Sequence, residues 1–253
     1  MKYLRFSYEG KTAYGILDGT QIQVLKGDPF SGVITKSGQT LSLEQAQLLP
    51  PCTPGKIIAA GLNYSDHARE MGLDIPQFPA LFFKPPSAVI AAGDTIRYPA
   101  MSHQVDYEAE LAVVIGKTAA NVTEADAASY IFGYTCLNDV TARDLQRIDT
   151  QWTRAKSFDT FAPVGPWIET EFDASHAEIS ARLNGKVVQH SNTANLIFSV
   201  PVLVSLISQI MTLYPGDIIS TGTPGGIGSM QPGDLIEVEV AGIGILQNRI
   251  KEF

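Results

Sequence analysis

Asn184-Gly185 stands between two runs that read as strands, Glu178 to Leu183 and Lys186 to His190. A two-residue Asn-Gly link is the strongest short-range hairpin signal, because both residues of such a turn need positive φ. Similar punctuation recurs along the chain, at Glu9-Gly10, Asp18-Gly19, Lys26-Gly27-Asp28-Pro29, Pro215-Gly216-Asp217 and Pro232-Gly233-Asp234. Many short strands and few helices between frequent turns predict a mainly β (α+β) fold. The longest helical pattern is Leu203, Leu206, Ile207 and Ile210, inside an uncharged stretch from Leu196 to Tyr214. Ser199 is suited to cap that helix, with Pro201 in its first turn. Its internal Ser, Thr and Gln residues and the lack of basic flanks point to a buried amphipathic helix rather than a membrane span.

The Pro50-Pro51-Cys52-Thr53-Pro54-Gly55 stretch reads as a linker. The expected organisation is a small N-terminal β-rich domain over residues 1–50, a linker over 51–55 and a larger body over 56–253. Leu41 to Leu49 is expected to hold one or two helical turns, and Thr123 to cap a helix running to about Tyr130. In the body, Lys56 to Ala60 reads as a buried strand and Ser65 as the cap of a short helix. Ala80 to Lys84 is a strand stopped by Pro85-Pro86, and Asp139 follows the strand Phe132 to Leu137. The 45% hydrophobic and 17% charged composition excludes a disordered chain. A net charge of −8 without a basic cluster argues against nucleic acid or an anionic membrane as partner. Cys52 and Cys136 are too few for a disulfide framework or a cysteine-rich zinc site. The first residues alternate like a strand and lack the apolar core of an export signal, so a cytoplasmic location is expected.

Glu108 and Glu110 are two apart in an apolar strand, Tyr107 to Ile115, so they share a face. Tyr107, Ala109, Leu111, Val113 and Ile115 make the opposite, apolar face. Like charges ~7 Å apart repel unless something offsets them. A hard cation would do so, and oxygen donors without clustered His or Cys suit Mg²⁺, Mn²⁺ or Ca²⁺ rather than zinc. The alternative is a solvated edge strand carrying charges against aggregation. A third carboxylate from a neighbouring strand end, such as Asp139, would favour the cation. His67 and Glu70 are three apart, on one face if helical. They make either a polar pair on an exposed helix or an imidazole oriented by a carboxylate. Gly222 to Gly228 lacks the lysine of a phosphate loop and the spacing of a dinucleotide fingerprint.

Six segments, in order, resemble the fumarylacetoacetate hydrolase family over about residues 54 to 253. They are Gly61-Leu62-Asn63-Tyr64-Ser65-Asp66-His67, Phe83-Lys84-Pro85, Tyr107-Glu108-Ala109-Glu110-Leu111, Asn138-Asp139-Val140-Thr141-Ala142-Arg143-Asp144, Lys156-Ser157-Phe158-Asp159 and Thr221-Gly222-Thr223-Pro224-Gly225-Gly226-Ile227-Gly228. The resemblance implies a rolled mixed β-sheet body, usually homodimeric, and a divalent cation held by Glu108, Glu110 and Asp139. It makes Lys156 the active-site lysine and gives His67, supported by Glu70, the activation of a water. Arg143, Gln146 and Thr223 match residues beside the substrate. Arg143 is equally suited to pair with Asp144 or a metal-binding carboxylate, and Lys84 to a structural ion pair or a substrate contact. His103, His176 and His190 match no catalytic position.

The reaction implied is hydrolytic cleavage of a carbon–carbon bond in a small 2-oxo acid such as an acylpyruvate or fumarylpyruvate, through an enolate stabilised by Mg²⁺ or Mn²⁺ (Ca²⁺ in its place). Residues 62 to 79 are expected to act as a lid over the water. The same site also supports oxaloacetate decarboxylation or 2-hydroxyhepta-2,4-diene-1,7-dioate isomerisation, since fold does not choose among chemistries. A non-catalytic Ca²⁺-holding protein would need neither Lys156 nor the His67–Glu70 pair.

Overall fold

A computed structural model describes residues 1–70, 72 and 74–252. In chain order the strands are β1 (Lys2–Tyr8), β2 (Lys11–Asp18), β3 (Gln21–Lys26), β4 (Thr35–Ser42), β5 (Gln47–Leu49), β6 (Ile57–Gly61), β7 (Ala80–Lys84), β8 (Val89–Ile90), β9 (Thr95–Tyr98) and β10 (Val105–Tyr107). They continue as β11 (Ala109–Ile115), β12 (Ile131–Asn138), β13 (Thr141–Ala142), β14 (Ala162–Glu169), β15 (Glu178–Leu183), β16 (Lys186–Asn192), β17 (Ile218–Ser220), β18 (Gly228–Met230), β19 (Leu235–Val240) and β20 (Gly244–Glu252). The α-helices are α1 (Ser65–Glu70), α2 (Arg143–Ile148), α3 (Thr153–Lys156) and α4 (Val200–Ile210). The fold is mainly β, as the turn chemistry predicts.

The largest sheet runs β4-β3-β2-β1-β14-β12-β11-β17-β6-β7, with β5 beside β1 and β8 beside β14. It is mixed, because β17 and β6 pair in parallel. The N-terminal strands enter this sheet through β1, whose Lys2 lies opposite Glu169 of β14. A small sheet, β13-β10-β18, and a third, β16-β15-β19-β20-β9, complete the fold. The β15–β16 hairpin closes at Asn184-Gly185, both at positive φ (52° and 78°), as the tight turn requires.

β11 positions the site. It lies between β12 and β17, so the solvated-edge alternative does not describe it. Leu111, Val113 and Ile115 join the main apolar core, while Ala112 and Val114 join a second core on the other face. Alternation in sequence separates the two faces but does not report the lateral neighbours. The expected single strand from Tyr107 to Ile115 is broken at Glu108, where the chain passes from the small sheet to the large one.

Of two helical expectations, one is met by a single turn and one is corrected. Leu41 to Leu49 holds one 3₁₀ turn, Leu43–Gln45, before the chain enters β5 and pairs with β1. Thr123 starts no helix. Its hydroxyl binds the Asp126 carboxylate at 2.8 Å and closes a local turn, and only Ala127–Tyr130 is 3₁₀. Ser and Thr side chains commonly divert the backbone this way. In α4, Ser199 occupies the N-cap position without a side-chain cap bond, and Leu203, Val204 and Ile207 are buried. No described helix is long and apolar enough to cross a membrane.

Candidate active site

Strand register brings the three carboxylates together. Ala109 lies opposite Asn138, the last residue of β12, so Asp139 emerges beside Glu108. The Glu108 N–H donates to Asn138 Oδ1 at 3.0 Å, and its carbonyl accepts from the Asp139 N–H at 2.9 Å. Glu110 Oε2 accepts from Ser220 Oγ (2.5 Å) and from the Gly222 N–H (2.8 Å), both from the end of β17 and the loop beyond. Glu108, Glu110 and Asp139 are all buried, and each offers an oxygen within 4.8 Å of the others. This hard-donor set, without a histidine or thiolate, fits Mg²⁺, Mn²⁺ or Ca²⁺.

Three cations brace the cluster. Lys84, from β7, donates to Asp139 at 2.5 Å. Lys156, at the end of α3, donates to Asp139 at 2.6 Å and to Glu108 at 2.8 Å. Arg143, at the start of α2, binds the Glu108 carboxylate and reaches Asp106 at 2.9 Å. Of the alternatives open for Arg143 and Lys84, both therefore pair with carboxylates of the triad. Four carboxylates, counting Asp106, face these three cations, which leaves one negative charge in excess.

The ionisation of the buried groups follows. Burial, with the Asp139 and Glu108 charges alongside, pushes Glu110 up to about 8. Burial also opposes ionisation of Glu108, but Lys156 and Arg143 outweigh it and hold that carboxyl at about 2. Burial lowers Lys84 despite its contact with Asp139. For Lys156 burial acts the same way, yet Asp139 and Glu108 overcome it and raise the ammonium pKa. A proton on Glu110 thus cancels the excess negative charge. A divalent cation in its place leaves one positive charge, which suits an anionic ligand.

The cluster floors a cavity of about 280 Å³. His67, Arg143, Gln146, Lys156 and Thr223 line it along with the triad. Glu70 stands just behind, with Oε2 3.5 Å from His67 Nδ1 and accepting from the Gly226 N–H at 3.1 Å. Gln146 Oε1 accepts from Arg143 at 2.5 Å, which leaves the Gln146 amide N–H groups for a ligand. His103, His176 and His190 lie outside the cavity. The expected lid, residues 62 to 79, includes Met71 and Leu73, which lie outside the described residues.

Sequence reasoning did not assign the apolar part of the lining. Ala60, Gly61, Leu62, Ala80, Phe82 and Trp152 form it. The Phe82 and Trp152 rings meet edge to face at 5.2 Å, and Lys156 Nζ sits 4.9 Å from the Phe82 ring. A Cβ at Gly61 would lie 2.8 Å from the Trp152 ring, so only glycine admits this packing. Signals for these residues were present. Phe82 precedes Lys84 by two on one strand, Trp152 precedes Lys156 by four, and Asp106 precedes Glu108 by two.

The family model described as "Fumarylacetoacetate (FAA) hydrolase C-terminal" matches residues 56–251. The chain belongs to the fumarylacetoacetate hydrolase family. A second model, "Rv2993c-like, N-terminal", matches residues 1–51. Among family relatives, the mitochondrial oxaloacetate tautomerase Fahd2a of Rattus norvegicus is 40% identical over 218 residues, covering 81% of this chain and 70% of that protein. The solved structure of 2-hydroxyhepta-2,4-diene-1,7-dioate isomerase from Mycobacterium marinum superposes with a TM-score of 0.93 at 38% identity, covering 100% of this chain and 98% of the other. Maleylpyruvate hydrolase from Sphingobium sp. SYK-6, solved with manganese (II) ion and pyruvate, superposes at 0.84 with 30% identity, covering 100% and 99%. The family thus spans tautomerase, isomerase and hydrolase chemistry on one architecture.

Proposed function

We propose that this chain is a divalent-metal-dependent enzyme that hydrolyses a carbon–carbon bond in a small 2-oxo acid of the acylpyruvate type. The observation that carries this reading is His67, backed by Glu70, lining the same cavity as the carboxylate triad and Lys156. A hydrolase needs a base for water and an electrophilic centre within one enclosure.

Glu108, Glu110 and Asp139 would hold Mg²⁺ or Mn²⁺, which supplies Lewis-acid polarisation of the acid's oxygens. Lys156 sets an ammonium where negative charge develops on the keto oxygen, and its two carboxylate partners fix its place. Glu70 faces Nδ1 of His67 and thereby leaves Nε2 as the basic nitrogen. His67 takes a proton from water, and the hydroxide adds to the distal carbonyl. The bond between that carbon and the pyruvate methylene breaks, and its electron pair leaves with the pyruvate fragment. The proton held by His67 goes to the pyruvate methylene carbon that received this electron pair, giving a carboxylic acid and pyruvate. Gln146 and Thr223 meet the acid's oxygens, and the apolar wall receives the acyl group.

Oxaloacetate tautomerisation or decarboxylation is the second reading, favoured by the small cavity and the name of the rat relative. Turnover of acetylpyruvate and oxaloacetate with Mg²⁺ or Mn²⁺, for wild type and His67→Ala side by side, separates the two. Acetylpyruvate cleavage that falls with the mutation supports hydrolysis. Activity on oxaloacetate alone, indifferent to His67, rejects it in favour of the second reading.

A further inference from the structure

Gln189 of β16 reaches the site from the third sheet; it is 1% exposed and carries no site role in the sequence motifs. Its Oε1 accepts from the Ala109 N–H at 2.9 Å, the residue between Glu108 and Glu110. Its Nε2 donates to Thr223 Oγ1 and to the Pro224 carbonyl, both at 2.9 Å. The opposite amide orientation would set oxygen against the Pro224 carbonyl and nitrogen against the Ala109 N–H, so the assignment is unambiguous.

This clamp has a directional consequence. A threonine hydroxyl has one proton and two lone pairs. Gln189 occupies a lone pair, so the Thr223 proton cannot point at Gln189. No acceptor among the described residues takes that proton, and Thr223 lines the cavity. The loop beyond lies directly on β16, since a Cβ at Gly226 would sit 2.4 Å from the Val188 carbonyl oxygen. On its other side, the Gly226 N–H donates to Glu70.

We propose that Gln189 is a positioning residue: by donating to Thr223 Oγ1 it aims the Thr223 hydroxyl proton into the cavity, where it donates to a carboxylate or keto oxygen of the bound acid. The inference rests on the 2-oxo acid reading and extends it to a residue that does not touch the ligand.

The test is a double-mutant cycle read by calorimetry, with pyruvate titrated into Mn²⁺-loaded protein. The proteins are wild type, Gln189→Met, Thr223→Val and the double variant, and acetylpyruvate and oxaloacetate turnover is recorded in parallel. Losing one hydrogen bond to a charged oxygen should weaken pyruvate by about tenfold or more. Each single variant should show that loss, while the double variant should match Thr223→Val within about twofold. Mn²⁺ affinity without pyruvate should stay within about twofold in all four. In a Thr223→Ser background, which keeps the hydroxyl, Gln189→Met should again cost about tenfold. Gln189→Glu keeps an acceptor for Ala109 but replaces the donor with an oxygen that draws the Thr223 proton back. It should weaken pyruvate at least as much, and it takes the place of Gln189→Met if that variant does not fold.

Additive losses, or a fall in Mn²⁺ affinity matching the fall in pyruvate affinity, would overturn the assignment and leave Gln189 a brace for the carboxylate strand. A non-additive cycle in a protein that turns over neither acid would retain the assignment and reject the functional reading. Turnover with an additive cycle would do the reverse. Pyruvate that fails to bind the wild-type protein would overturn both.

Discussion

Glu110 and His67 line the same cavity, but Glu110 stands on a strand flanked on both sides and His67 on a helix of six residues. Ser220 and Gly222 grip Glu110 from the neighbouring strand end, and both faces of β11 are packed. A six-residue helix has too few internal bonds to stand alone. α1 instead relies on side-chain ties: Asp66 to the His67 N–H (2.7 Å) and to Ser191, and Glu70 to Gly226. The carboxylate end is therefore set by the core itself, whereas the histidine end is hung on a few polar contacts. Precise metal geometry needs the first kind of support. A base that must admit water and release product is better served by the second.

Variants should separate the two ends. The largest effect is expected at the carboxylate end. Glu108→Gln leaves Lys156 and Arg143 each short of a charged partner in a buried site, a change worth ~3–5 kcal/mol. It should lower the melting temperature and reduce Mn²⁺ affinity by more than the ~10–100-fold that losing an outer partner costs, as calorimetry would read. His67→Ala should reduce acetylpyruvate hydrolysis by ~10²–10⁴-fold and leave Mn²⁺ affinity and melting temperature where they are. Weaker Mn²⁺ binding in that variant would break the comparison.

Two glycines of one loop sharpen it. A Cβ at Gly222 (φ +99°) would meet Asn63 Cβ at 2.8 Å and the Ala60 carbonyl oxygen at 3.0 Å, and neither can step aside. Gly222→Ala should cost about 2 kcal/mol or more in chemical denaturation. A Cβ at Gly225 would meet only the Glu70 carboxylate, at 2.4 Å, the free end of a half-exposed side chain. Gly225→Ala should therefore leave the denaturation midpoint almost unchanged. It should lower hydrolysis by about tenfold, as for the loss of one orienting contact to the base.

The comparison extends to pH. Glu110, raised to about 8, binds its proton more tightly folded than unfolded. Metal-free stability is then full below its unfolded value near 4.5 and declines as pH rises from there towards 8. Glu108, held near 2, has the opposite sign: its contribution is present above 4.5 and is lost only as pH falls towards 2. Melting curves in EDTA should thus fall between about pH 5 and pH 8, and excess Mg²⁺ should restore them most at the alkaline end, because it displaces the Glu110 proton. A flat EDTA profile would place Glu110 with Glu108 as an ordinary ionised carboxylate.

Much of this was legible in the chain. Asn184-Gly185 predicted its hairpin, and the period-two pattern around Glu108 and Glu110 predicted their shared position. Eight of the nine site residues selected from sequence line one cavity, and the ninth, Glu70, contacts His67. Asp106, Phe82 and Trp152 were overlooked although ordinary strand and helix spacing ties each to a selected residue. Gln189 carried no such signal, because its partners Ala109 and Thr223 lie far away in the chain and belong to other elements.

From sequence alone came the properties that depend on near neighbours: where the chain turns, which side chains share a face, and that two hard oxygen donors, Glu108 and Glu110, stand two apart on one apolar strand pattern. Register, lateral strand order and the break at Glu108 decided the rest. They set Asp139 beside Glu108, placed β11 inside its sheet between β12 and β17 and brought Gln189 against the glycine loop. Turn and alternation preferences act over a few residues. Which strands become neighbours depends instead on burying every apolar face at once, a condition that only the whole chain can satisfy.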